Sequence, residues 1–295
     1  MGPAFVFRHT STIPATLPAQ LRAWGAPACV VMVSSLAPSD EILRAYDLVV
    51  TAFPHYCRAM RARGLEVRYL PLAFDPRRVG LEVDGSGEDR RFPMGLPEAY
   101  EQRNLLATFV GGLGLDRHWR AGQHTIARCA EGVPGFQWYG YRGSDAVPGP
   151  LARAHRGQVW GDDYYAILGR SRVTVNRHGE VHAEAARPPT HRPAYWACNL
   201  RLFEATGMGA CLVTERSQNL EPGGWEEWPV PLFVAHDEVV PYGDPEQCMR
   251  LVADLVDRPE RAAEIAAAGQ RRCLSDHTYV RRAPRLLEYL AEAAT

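Results

Sequence analysis

Arg201 and Glu204 stand three residues apart in the run Asn199-Leu200-Arg201-Leu202-Phe203-Glu204-Ala205-Thr206-Gly207, a spacing that puts both on one face of a helix. A carboxylate so placed can accept hydrogen bonds from ribose hydroxyls, while the guanidinium and the helix dipole face a diphosphate. The same pair also fits an exposed ion pair worth only about 0.3–0.5 kcal/mol. Spacing alone leaves both readings open. Gly111, Gly112 and Gly114 follow a short apolar run and precede Arg117. Such a turn lets backbone N–H groups approach a phosphate, with Arg117 as a charge-assisted partner, or is an ordinary tight strand-to-helix turn. Asn176-Arg177-His178 closes another apolar run, where Asn176 and His178 can touch a ligand or simply solvate a strand end. Asn219, followed by Leu220, lies in a loop just after the Thr214-Glu215 strand end, as a backbone contact to a ligand or as a turn former.

Some chemistry is excluded outright. All 33 basic residues are arginine, so no Schiff-base lysine, pyridoxal-phosphate anchor or Walker lysine exists. Anions must be held by arginine, backbone N–H groups or helix termini. A formal net charge of −1 gives no reason to expect a nucleic-acid partner or an anionic membrane. His178 with His182 and His191 fits no common zinc spacing, and no metal is expected. The seven cysteines (Cys29, Cys57, Cys129, Cys198, Cys211, Cys248 and Cys273) contain no CxxC pair. They read as buried free thiols in a reducing, cytoplasmic setting. No apolar run approaches the ~20 residues of a membrane span.

The elements that must position these residues alternate as in an α/β protein with parallel sheets. Strands are expected at Ala4–Phe7, Ala28–Val33, Asp47–Thr51 and Val67–Leu70, with helices at Pro18–Trp24, Ser39–Tyr46 and His55–Arg63 between them. Asp75–Asn104 is charged and rich in Gly and Pro, and reads as a connection with an insertion. A second series has strands at Leu105–Gly111, Phe136–Tyr139, Arg172–Asn176, Ala210–Thr214 and Leu232–Ala235. Its helices are expected at Arg117–Cys129, Asp162–Leu168, Ala194–Thr206, Pro245–Val256, Pro259–Cys273 and Val280–Ala294. The simplest arrangement is two doubly wound domains with a ligand in the cleft between them.

Asn199–Glu215 resembles the C-terminal domain of CgeB-like glycosyltransferases, together with Gln218-Asn219-Leu220, Glu238–Glu246, Ile265–Arg272 and His277-Thr278-Tyr279. Thr108–Gly112 with Arg117, Trp138-Tyr139-Gly140, Val159-Trp160-Gly161, Val175–His178, Tyr46–Pro54 and Tyr69–Pro76 match in the same order. The resemblance runs from about Ala4 to Leu290. It implies an α/β fold of two Rossmann-like doubly wound domains (GT-B), with an abbreviated N-terminal acceptor-side domain over 1–75 and a hinge or insertion over 76–104. The nucleotide-sugar domain would span 105–275, with a C-terminal helix over 276–295 that crosses back.

The implied activity is metal-independent glycosyl transfer from a nucleoside-diphosphate sugar to an acceptor hydroxyl, with no other cofactor. Glu204 falls where such enzymes bind the donor ribose. Trp196 occupies a position eight residues earlier that often carries a second glutamate, so sugar contacts and stereochemistry stay open. A general base is expected from the N-terminal domain. His9, after the first strand, is the best-placed histidine, although it also reads as a surface-loop residue, and Asp47 is structural. Relatives begin with further strand–helix units. The short acceptor side therefore leaves open a partner subunit or second copy that completes the site, or a nonenzymatic nucleotide-sugar-binding or assembly subunit. A GT-B-shaped sugar-nucleotide epimerase is a weaker alternative.

Overall fold

The computed structural model describes residues 4–8, 16–33, 39–81, 98–113, 117–141, 149–178, 199–222 and 230–295, with backbone alone for 4–8 and 117–121. Two parallel sheets carry the fold. The first has β1 (Ala4–Arg8), β2 (Cys29–Val33), β3 (Leu48–Thr51) and β4 (Val67–Tyr69) side by side in chain order. Right-handed connections that always step the same way place α1 (Leu17–Ala23), α2 (Asp40–Leu43) and α3 (Pro54–Arg61) on one face. Strand alternation sends Val31, Val49 and Val67 to that face, against Leu43, Tyr56 and Met60. Val30, Met32, Leu48 and Val50 point the other way and need a different cover. Asp47 is structural, as its type and place suggest: its carboxylate accepts from the Cys29 backbone N–H at 2.6 Å and pairs with Arg22 at 2.8 Å.

The second sheet runs β6 (Phe136–Tyr139), β5 (Leu105–Val110), β7 (Ser171–Asn176), β8 (Cys211–Glu215), β9 (Val240–Tyr242). Its order reverses at β5, so helices cover both faces. On one side α4 (Arg117–Gly132) and α8 (Pro245–Asp257) bury Ile126, Cys129, Cys248 and Val252. On the other, α6 (Gly161–Arg170), α7 (Arg201–Gly207) and α9 (Pro259–Asp276) bury Leu168, Phe203 and Cys273. A short α5 (Gly149–Ala154) was not expected from the sequence. Six of the cysteines are buried free thiols, and Cys198 lies outside the described residues.

Two expectations need correction. Leu232–Ala235 is not a strand: Leu232 and Phe233 are buried under α7 and α9 in a loop, and such an apolar run imitates a strand. The fifth strand is Val240–Tyr242, disguised by Pro241, which an edge strand tolerates. In the region expected to be helical over Ala194–Thr206, the described helix begins only at Arg201.

After α9 the chain returns to the first sheet. The Phe74 backbone donates to the His277 carbonyl at 2.8 Å, and Tyr279 donates to the Phe74 carbonyl at 3.0 Å. Thr278 caps α10 (Tyr279–Ala293), which covers the bare face of the first sheet with Tyr289, Leu286 and Leu290. The Tyr289 hydroxyl donates to the Tyr69 carbonyl at 3.1 Å.

The junction is locked by His277, set between Phe203 and Phe233. Arg282 donates to its Nδ1 at 2.7 Å, which leaves Nε2–H to donate to the Leu232 carbonyl at 2.5 Å. Burial, aided by Arg282, lowers its pKa to about 4. His178, wholly buried at the end of β7, is also lowered to about 4, by burial first and then by Arg177. A histidine depressed in the folded state keeps its full contribution above the unfolded pKa of ~6.5 and loses it as pH falls toward 4, because the unfolded chain takes the proton first. Urea titrations from pH 7 to pH 4.5 should show His277 contributing a slope of about 1.4 kcal/mol per pH unit. The His277→Gln variant, which can still bridge Arg282 and Leu232, should lose that increment; an unchanged slope contradicts the assignment.

Candidate functional site

In a doubly wound sheet, ligands bind beyond the carboxyl ends of the strands where the order reverses. Here that point lies between β5 and β7. β5 ends in Gly111-Gly112, and the turn is pinned on both sides. Gly111 donates to the Tyr139 carbonyl at 2.8 Å and accepts from the Trp138 indole at 2.8 Å. A Cβ on Gly140 would stand 2.0 Å from the Gly111 carbonyl oxygen, and one on Gly112 would stand 2.3 Å from the Tyr141 ring. Only glycines allow this approach. Gly114 lies outside the described residues, as does the Arg117 side chain, whose backbone opens α4.

α7 runs antiparallel to the strands and brings its first residue, Arg201, back to this turn. A Cβ on Gly111 would lie 2.7 Å from Arg201 Nη1, so the guanidinium packs directly on the glycine. It sits between the rings of Phe109 and Tyr164, at 5.5 and 5.6 Å from their centroids. One turn further on, Glu204 is only 9% exposed. Its Oε2 accepts from the Tyr164 hydroxyl at 2.5 Å and its Oε1 from the Tyr165 hydroxyl at 2.8 Å. Arg201 Nε donates to the Tyr164 hydroxyl at 3.1 Å, so arginine and glutamate are joined through a phenol. Gly111, Arg201 and Glu204 therefore form one contiguous group.

At the end of β7, Asn176 is fully buried in a polar lattice. Its Nδ2 donates to Thr214 Oγ1 at 3.0 Å, its Oδ1 accepts from Asn199 at 2.9 Å, and its carbonyl accepts from the Tyr242 hydroxyl at 3.1 Å. The His178 backbone donates to Glu215 at 3.1 Å, while neither ring nitrogen has a hydrogen-bond partner among the described residues. Asn219 is buried and engaged at both ends: its Nδ2 donates to Ser217 Oγ at 2.9 Å, and its Oδ1 accepts from the Tyr69 hydroxyl at 3.5 Å. The Leu220 side chain packs in the apolar core, so only its backbone is available to a ligand. His9, Trp196, His182 and His191 lie outside the described residues. Among those described, no three His, Cys, Asp or Glu side chains cluster as a metal site, and no helix is long and apolar enough to cross a membrane.

Sequence reasoning missed the tyrosines. Tyr164 and Tyr165 are adjacent, so a helical pattern cannot send both inward, and their partner is about 40 residues away. It also missed Trp160, which is 67% exposed and lies parallel to the Tyr141 ring at 6.1 Å.

Two parallel Rossmann-like sheets in one chain make this the GT-B fold, the fold of the similar solved glycosyltransferases. The model of the glycosyl transferase-like family matches residues 120–288, and the chain belongs to that family. Among solved structures it is similar to sucrose-phosphate synthase from Thermosynechococcus elongatus, at 14% identity and TM-score 0.60, over 99% of this chain and 74% of that one. It is also similar to Anabaena HepE in complex with UDP-glucose, at 14% identity and TM-score 0.62, over 98% of this chain and 78% of that one. At such identity the likeness is one of fold. No curated protein matches the chain.

Proposed function

We propose that this protein transfers a glycosyl unit from a nucleoside-diphosphate sugar to an acceptor hydroxyl, within a CgeB-like branch of its family. The observation that carries the reading is the Glu204 carboxylate, held beside Arg201 and the Gly111-Gly112 turn at the sheet reversal. In this reading Glu204 takes the donor ribose. The turn, Arg201 and Arg117 hold the diphosphate, and the exposed face of Trp160 takes the base. Asn176 and His178 line the donor side, and the backbones of Asn219 and Leu220 add contacts to phosphate or sugar. Arginine and backbone N–H groups offset the charge that develops on the leaving diphosphate, so no metal or further cofactor is needed. HepE, crystallised with UDP-glucose, supports a donor of this class.

His9, following the first strand, acts as the general base that takes the acceptor proton. The test is release of nucleoside diphosphate from a panel of UDP-, GDP- and dTDP-sugars, with acceptor alcohols added. Turnover with at least one donor is expected. His9→Ala should lower kcat by about 10²–10⁴-fold while donor affinity stays within a factor of about three, a change worth less than 1 kcal/mol. Unchanged kcat would remove His9 from the mechanism, and no turnover with any donor would leave only a nucleotide-sugar-binding subunit.

A further inference from the structure

Glu204 does not stand alone: two consecutive side chains of α6 claim its two oxygens separately, Tyr164 on Oε2 and Tyr165 on Oε1. Neighbouring residues on a helix point about 100° apart, so they meet one carboxylate only by straddling it, and their rings stand nearly perpendicular at 5.2 Å. Each phenol is itself fixed. Arg201 donates to the Tyr164 hydroxyl. The Arg78 guanidinium lies 4.3 Å over the Tyr165 ring and is anchored on Asp162 at 2.6 Å. Burial raises both phenol pKa values, and Arg201 opposes the rise at Tyr164 while Glu204 reinforces it at Tyr165, so both remain protonated donors.

A carboxylate oxygen has two acceptor directions. Among the described residues one is filled on each oxygen, which leaves one on each. That is the complement of a vicinal diol, whose two hydroxyls donate one to each oxygen. The geometry points to Tyr164 and Tyr165 as positioning residues that orient Glu204 for bidentate capture of a cis-diol, making the site selective for ribonucleotides over 2′-deoxyribonucleotides. This rests on the assignment of Glu204 to the donor ribose. A carboxylate free to rotate would satisfy a lone 3′-hydroxyl almost as well, so selectivity depends on the phenols even though they need not touch the ligand.

The test compares UDP, GDP and ADP with their 2′-deoxy counterparts by calorimetric titration. It uses the full chain, Tyr164→Phe, Tyr165→Phe and the double variant, with the melting temperature of each free protein as the check on folding. The unaltered protein should prefer the ribo form by about tenfold or more, the worth of one charge-assisted hydrogen bond. In the double variant the preference should fall to within about threefold of unity, with weaker ribonucleotide binding and nearly unchanged deoxynucleotide binding. The single variants carry the test if the double one melts early. Equal selectivity in the folded variants overturns the assignment. So does tighter ribonucleotide binding, which would mean that the phenols occupy the diol's place. If the unaltered protein binds no nucleotide, the donor-site reading itself falls. If it binds and Glu204→Gln binds equally well, ribose capture lies elsewhere and the role of the tyrosines falls with it.

Discussion

Glu204→Ala is expected to lose nucleoside-diphosphate binding almost completely, by about 10²–10⁴-fold. Two ribose hydroxyls donating to a carboxylate that is only 9% exposed form charge-assisted bonds worth about 1.5–3 kcal/mol each, and each 1.4 kcal/mol is tenfold in affinity. For the unaltered protein, ligand at about 100 times its Kd adds about 2.7 kcal/mol and raises the melting temperature by several degrees. That shift should vanish in the variant. Alanine also leaves the Tyr165 hydroxyl without its acceptor, while the Tyr164 hydroxyl keeps the bond from Arg201, so the free variant should be less stable by about 1–3 kcal/mol and melt lower. Glu204→Gln, which keeps one acceptor oxygen, should melt closer to the parent yet still bind poorly. A variant that binds as tightly as the parent would assign the ribose elsewhere.

Tyr289→Ala is the second large effect, and it falls on stability. The ring is 3% exposed between α10 and the first sheet, packed with Val30, Leu48, Val50 and Leu70. Truncating a large buried ring costs about 3–5 kcal/mol, or roughly 6–20 °C at 2–4 °C per kcal/mol. Tyr289→Phe removes only the hydrogen bond to the Tyr69 carbonyl and should cost about 1 kcal/mol. Leu287→Ala, on the same helix but 64% exposed, should stay within about 0.5 kcal/mol of the parent. If Tyr289→Ala behaves like Leu287→Ala in calorimetry, α10 does not cover the sheet as described.

Most of the frame could be read from local pattern. Val30–Val33, Leu105–Val110 and Ala210–Val213 are apolar runs long enough to pair on both sides, and they became central or near-central strands. The glycine signal at Gly111 was legible too, because close backbone approach leaves a mark in residue type, whereas the start of α7 at Arg201 was not, since no capping side chain marks it. What stayed hidden depends on contacts distant in sequence. Pro241 masks an edge strand that exists because β8 is there to receive it. Leu232 and Phe233 look like a strand because both are buried, yet α7 and α9 bury them as a loop. The tyrosines around Glu204 carried no periodic signal, since their roles come from a carboxylate on another helix. The return of α10 to the first sheet leaves only an amphipathic pattern, which does not say which surface it meets.

The most direct measurement is a crystal structure of this chain with a bound nucleoside diphosphate. Ribose 2′ and 3′ oxygens should lie within about 3 Å of Glu204 Oε1 and Oε2, with the diphosphate against the Gly111-Gly112 backbone and Arg201. A nucleotide bound away from the β5–β7 reversal, with Glu204 touching only Tyr164 and Tyr165, would contradict the account.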